Sequence, residues 1–544
     1  MDSLLILKIY IYIIIKKIFI NIMKKYSSNT SSIKFQSYEP NDTKIHAFDV
    51  VIVGSGPVGL TLALEMKKQN IKAIIITNNN FIPDGSKAIC ISRESMETFQ
   101  SLGVADKISS IGLGWVNGKS FYKNEKVYEL KMPDNDNEKY KPMTNLQQSI
   151  LEEILIKKCL EQKIEIRWNN QITDILKNDN NVQLEVKSLK NKYKITSKFL
   201  LAADGAKSKI REKLGLKLEG ESYSGNYLIA DIKIKLDYPT ERLAFFYPSS
   251  NPEGTALMHK QPFNIWRIDY SLENQLEKKT SSQDVKNMIQ DHLNSLSIKK
   301  KWGLVWWSQY KAHCLSLKNF VHNRIIFCGD AAHLVPIFGV KGLNSGIADA
   351  HNIGWKLPYI LNKKKPLSFL KTYDSERKKA IANIFNESKK STLFMSPPTN
   401  GYKLMQNAVL SLSIKNSFCR SLINPRQSKA EKYDFKYKKI SYIDKSNFKI
   451  GQRLKNIKLS KGFLFDFIPN SYFILNGQNI SIDHTIYSIN IRNNDYGNFI
   501  YLVRPDKYIV YIWNKLNITE LDKIVYNEIG FCNHGKNSKN RKIL

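Results

Sequence analysis

Gly54, Gly56 and Gly59 stand in strict G-x-G-x-x-G order directly behind the apolar run Val50 to Val53, with Ser55, Pro57 and Val58 between them. This spacing suits a pyrophosphate. The first glycine makes a tight turn, the second lets phosphate approach the backbone, and the third lets a helix pack close on the strand. A nucleotide held there brings its ribose to the end of the next strand, where a carboxylate ordinarily bonds the sugar hydroxyls. Thr77 occupies that place and Asn78, Asn79 and Asn80 follow it, so hydrogen bonding survives without charge assistance, which forgoes roughly 1 kcal/mol. Further along, Asp204-Gly205 turns the chain out of the buried run Phe199 to Ala203, a common arrangement when taken alone. Gly329-Asp330 ends the run Ile325 to Cys328 and so sets a carboxylate at the carboxyl end of a parallel strand, where ligands of doubly wound sheets sit.

These residues need a frame, and the surrounding pattern supplies one. Pro57 to Gln69 reads as a helix whose free N–H groups and positive dipole end face the phosphate, and Lys72 to Thr77 reads as the next parallel strand. Gly342-Leu343-Asn344 opens another helix, with Ile347, Ala350, Gly354, Leu357 and Leu361 on one face. Between the second and third motifs, Tyr227 to Trp307 alternates in the manner of an antiparallel sheet. At 544 residues, with 42% hydrophobic content, the chain is long enough for two or three globular domains. Its 83 basic and 49 acidic residues give a net charge of +34, but the lysines are scattered and do not alternate with aromatics, which argues against a nucleic-acid surface. Six cysteines lack C-x-x-C spacing, consistent with free thiols in a reducing, cytoplasmic compartment, and neither metal-ligand spacing nor a Ser-His-Asp order appears. Leu4 to Ile22 is apolar but interrupted by Lys8, Lys16 and Lys17, too broken for a membrane span and open to reading as a targeting or surface-anchoring segment.

The three motifs in this order resemble the FAD-dependent aromatic hydroxylases, the single-component flavoprotein monooxygenases, over about Phe48 to Pro398. The likeness is greatest to the phenol and 3-(3-hydroxyphenyl)propionate hydroxylase branch. It implies that the glycine turn holds the ADP part of FAD, that Asp330 binds the ribityl chain, and that Asp204 and Gly205 lie near both FAD and the approach of NAD(P)H. The backbone at Leu343 and Asn344, behind Gly342, would hold the flavin pyrimidine edge, where a helix dipole favours the charge gained on reduction. "GSKAIC" puts Lys87 where an arginine contacting FAD is usual, and Gln148 in "NLQQ" fits a flavin-contacting glutamine. The alternating segment would cover the flavin and wall the substrate, with His259, Arg267 and Tyr270 as candidate catalytic residues.

The expected architecture is thus α/β: a leader over 1–47, a Rossmann-like FAD-binding domain over 48–398 with an antiparallel substrate sheet inserted at about 225–310, a helical segment and linker over 399–447, and a thioredoxin-like domain over 448–544. That last domain has no C-x-x-C, so a packing or homodimer role is expected of it. The implied reaction is hydroxylation of a small phenolic substrate with NAD(P)H and O2. Two alternatives stand beside it. One is an epoxidase or halogenase on the same fold, although the W-x-W-x-I-P signature is absent; the other is a non-catalytic flavin-binding subunit, which the substituted Thr77, Lys87 and Lys207 favour.

Overall fold

The computed structural model describes residues 33–41, 44–83, 85, 88–123, 125–272, 280–336, 339–423, 431–435, 448–478, 482, 486–491, 496–529 and 541–543. Lys87, the first 32 residues of the expected leader and most of the expected linker lie outside the described residues.

Five strands form a parallel layer in the order Ile325–Phe327, Lys192–Ala202, His46–Val53, Ala73–Ile76 and Glu165–Arg167, and Val321–His322 adds an antiparallel edge. Val50, Val51 and Ile52 are fully buried at its centre, as continuous apolar runs in a parallel sheet require. Helix Pro57–Lys68 follows the first strand, with Pro57 at its first position and no side-chain cap. Helix Gly342–Leu361 packs against it, and Gly354 allows the close approach: a β-carbon there would lie 2.8 Å from that of Glu65.

A second, eight-stranded sheet runs Glu219–Lys233, Thr255–Gln261, Ile265–Leu272 and Gly303–Ser316, with Arg242–Phe246 beyond. It is larger than the expected insertion. Asn117–Tyr122 and Glu125–Lys131, from well before residue 225, extend one edge, the former pairing in parallel with Arg242–Phe246, and His333–Leu334 extends the other. One face packs on helix Ser282–Ser295 through Trp266, Ile268, Tyr270, Val285 and Ile289. Helix Asn400–Lys415 follows these two sheets, and a five-stranded mixed sheet, which includes the antiparallel pair Ile500–Val503 and Ile509–Trp513, comes after it together with helix Ile518–Ile529.

The expected leader is tied down along part of its length. Phe35 stacks on Trp168 at 4.2 Å, the Phe35 N–H donates to the Asn80 carbonyl, and the Arg167 guanidinium lies 4.3 Å from the Tyr38 ring. The first strand begins at His46, two residues before the expected start at Phe48.

Candidate active site

Three motifs far apart in sequence meet at the carboxyl ends of three adjacent parallel strands. The Gly54 N–H donates to Ile76, that of Ala203 to Val53, and that of Cys328 to Ala202. Gly54 turns with a φ of +109° and its missing β-carbon would strike the Ala203 carbonyl at 2.3 Å, so only glycine fits there. A β-carbon on Gly59 would come within 1.9 Å of the Gly54 carbonyl. Gly56, Gly205 and Gly342 behave differently: nothing lies within 4 Å of a β-carbon on any of them. All three border a cavity of about 620 Å³, and their bare backbone faces open space.

That space fits a dinucleotide cofactor. Pro57 and Val58 line it beside the uncapped helix N-terminus, whose first turn carries no acid to compete with phosphate. Asp330 lines it too, and is exposed. The Asp330 turn is braced from behind: the Gly329 N–H donates to Asp349 Oδ2, which also meets His333 Nε2 at 2.6 Å, while Arg377 Nε donates to Asp349 Oδ1. Burial opposes the charge on Asp349, but His333 and Arg377 hold its carboxyl below the ordinary range. At the expected ribose position, the Ser55 hydroxyl donates to the Thr77 hydroxyl at 3.0 Å, a neutral pair in place of a carboxylate. Gln148 lines the cavity and accepts from the Ala88 N–H. Leu343 lines it as well, whereas the Asn344 side chain turns back to accept from the Ser92 N–H and the Ser95 hydroxyl. Asp204 also turns inward and accepts from the Ile210 N–H at 3.1 Å, leaving Gly205 and Ala206 at the cavity wall. Arg211, which carried no signal in the sequence, clasps this turn to the Asp330 turn by donating to the carbonyls of Ala206 and Ala331.

The far wall is the second sheet. Its register sets Arg242, His259, Arg267, Asp231 and Trp306 side by side in one row across five strands. His259 and Arg267 therefore reach the cavity, as expected. Tyr270 does not. It falls on the opposite face of strand Ile265–Leu272, is 1% exposed among the apolar residues under helix Ser282–Ser295, and its hydroxyl donates to the Met288 carbonyl. The cause is the two-residue period of a strand, which sends Arg267 and Asp269 to one side and Tyr270 to the other. Arg267 makes a bidentate pair with Asp231, at 2.8 and 2.9 Å. Burial, with Arg242 and Arg267 close by, presses the His259 ring down to about 3, so it is neutral across the physiological range. Asp269, Arg242, Trp306 and Tyr310 also line the cavity and were not singled out in the sequence, although polar residues recurring at alternate strand positions were the available signal. Among the described residues no group of three His, Cys, Asp or Glu side chains is placed to hold a metal, and no helix is long and apolar enough to cross a membrane.

A family profile described as "FAD binding domain" matches residues 47–388. The chain is 26% identical over 340 residues to a 3-(3-hydroxy-phenyl)propionate/3-hydroxycinnamic acid hydroxylase of Mycolicibacterium smegmatis, a match covering 61% of this chain and 58% of that relative. It is 24% identical to a rifampicin monooxygenase of Rhodococcus hoagii, over 80% of this chain and 88% of the relative. Among solved structures, the flavin-dependent monooxygenase PieE in complex with FAD and substrate matches with a TM-score of 0.74 at 16% identity, covering 88% of this chain and 97% of PieE. The p-nitrophenol 4-monooxygenase PnpA of Pseudomonas putida gives 0.60 at 20% identity, over 71% and 100%. At such identities these structures speak to the fold.

Proposed function

The chain belongs to the FAD-dependent aromatic hydroxylase family through its FAD-binding domain, and from that premise we propose that it hydroxylates a phenolic substrate with NAD(P)H and O2. One observation carries the reading: a single cavity runs from the bare backbone of Gly56 to the polar row of the second sheet, so a flavin and a substrate ring fit end to end. When bound, FAD supplies the electron transfer from NAD(P)H and the delivery of one oxygen atom from O2. The protein does the rest. The turn at Gly54 to Gly59 and its helix N-terminus would hold the pyrophosphate, Ser55 and Thr77 would meet the ribose, Asp330 would accept from the ribityl hydroxyls, and the helix beginning at Gly342 would favour the charge gained by the flavin on reduction. Trp306 and Tyr310 supply aromatic surface for the substrate ring, and the enclosing sheet excludes water.

The C-terminal sheet is assigned a thioredoxin-like fold with a packing role. Its support is the mixed strand order and the pairing of Arg504 with Glu376 at 2.8 Å across the two units. Five free, buried cysteines among the described residues support a reducing, cytoplasmic compartment. The test of the function is reconstitution with FAD followed by desalting. One flavin per chain is expected to remain and NADPH oxidation to accelerate with added phenols; a chain that retains no flavin overturns the reading.

A further inference from the structure

Among the described residues, the cavity wall holds a carboxylate oxygen that no hydrogen bond satisfies. Asp269 follows Arg267 at the next cavity-facing position of strand Ile265–Leu272, half-buried, and its Oδ1 is shut away from solvent without a hydrogen-bond partner. Among the described residues Asp269 makes no ion pair, although Arg267 pairs with Asp231 on the neighbouring strand. With Oδ1 enclosed and the residue itself lining the cavity, its carboxyl is left for a ligand donor to meet from the cavity side.

We propose that Asp269 is the catalytic base that accepts the proton of the substrate's ring hydroxyl. The assignment rests on the monooxygenase reading above and deepens it. In the step, the phenolic O–H bond breaks, its electron pair stays on oxygen, and the proton bonds to an Asp269 carboxylate oxygen. A phenolate and a neutral carboxyl result. The phenolate ring is richer in electrons at its ortho and para carbons, which is what delivery of an electrophilic oxygen requires.

The groups facing Asp269 leave it as the base. Arg267, two residues before it, is engaged by Asp231. On strand Thr255–Gln261, His259 is held neutral by burial, a poor match for a base working near neutrality. On strand Gly303–Ser316, burial pushes the Tyr310 phenol far up, and on strand Cys90–Ser92 it pushes the Cys90 thiol up to about 12. Arg242, on strand Arg242–Phe246, is buried with its Nε unpartnered and adds positive charge that favours a phenolate. For Asp269 itself burial raises the carboxyl to about 7, with Arg267 and Arg242 opposing and Asp231 adding to the rise. A base is most effective when its affinity for protons matches the working pH.

The test compares the holoenzyme with its Asp269→Asn and Asp269→Glu forms, using phenol and ring-fluorinated phenols of increasing acidity, and reads kcat across pH. In the wild type kcat should fall as pH drops below about 7, because the base must be ionised. The Asn form should lose that limb and about a hundredfold or more in kcat with phenol, keep its bound flavin, and lose progressively less as the phenol becomes more acidic. The Glu form should recover part of the rate and the pH limb. An Asn form that keeps the wild-type pH limb, or loses the same factor with every phenol, overturns the assignment while the function stands. A wild type that binds FAD but ignores every phenol overturns both.

Discussion

At position 56 the protein alone leaves a side chain room, and only a bound pyrophosphate would contest it. The backbone there is extended, at φ −74°, and no atom lies within 4 Å of a β-carbon. Gly56→Val is therefore expected to leave the thermal midpoint nearly unchanged while bound flavin falls to a small fraction of wild type, read as flavin absorbance after desalting. The same change at Gly59 would bring the β-carbon within 1.9 Å of the Gly54 carbonyl and damage the fold itself. This contrast within one motif explains what was legible from the sequence: the glycine spacing encodes local backbone geometry, and Asp330 follows its strand directly. Thr77 was legible as a departure, and the structure supplies its Ser55 partner. Asp269 was legible only through alternation along residues 265–272, which puts it on the face of Arg267 and so at the cavity once Arg267 is placed there. Tyr270, three positions from Arg267, falls on the other face by that same alternation.

At the scale of elements, helix Gly342–Leu361 is held to the strand ends by a buried charge cluster. Asp349 receives the Gly329 N–H, and both His333 and Arg377 bond its carboxylate. Removing one partner of such a cluster leaves an uncompensated buried charge, so Asp349→Asn should cost about 3–5 kcal/mol in urea unfolding and weaken flavin retention by loosening the Asp330 turn. Unchanged stability would mean that the cluster is replaceable by water. The strands and helices of the parallel layer were legible because their apolar runs and turns are contiguous in sequence. The full width of the second sheet was not: Asn117–Tyr122 joins Arg242–Phe246 across more than a hundred residues, and period-two alternation does not name a partner.

At the scale of the whole molecule, two regions outside the cavity hold the assembly together. Residues 33–41 lie on the parallel layer through Phe35 and Tyr38, so a chain beginning at Ile45 should be about 2 kcal/mol less stable to denaturant than one beginning at Ile33. Equal midpoints would return that stretch to the status of a leader, which its polar composition suggested and its two aromatic anchors contradict. At the other end, burial alone would raise the Glu376 carboxyl, but Arg504 and Lys356 hold it down to about 2. The stabilisation is thus present above the ordinary glutamate value of about 4.3 and is lost as pH falls from about 5 toward 2. Acid should loosen the C-terminal unit, seen as faster proteolysis between the two units, and Glu376→Gln should flatten that dependence. The central claim, however, concerns oxygen. Incubating the FAD-loaded protein with NADPH, a phenol and isotopically labelled O2, then weighing the product by mass spectrometry, tests it most directly. The account predicts one labelled oxygen atom gained on the ring, ortho or para to the existing hydroxyl; oxygen taken from water, or NADPH consumed with no oxygen gained by any phenol, would contradict it.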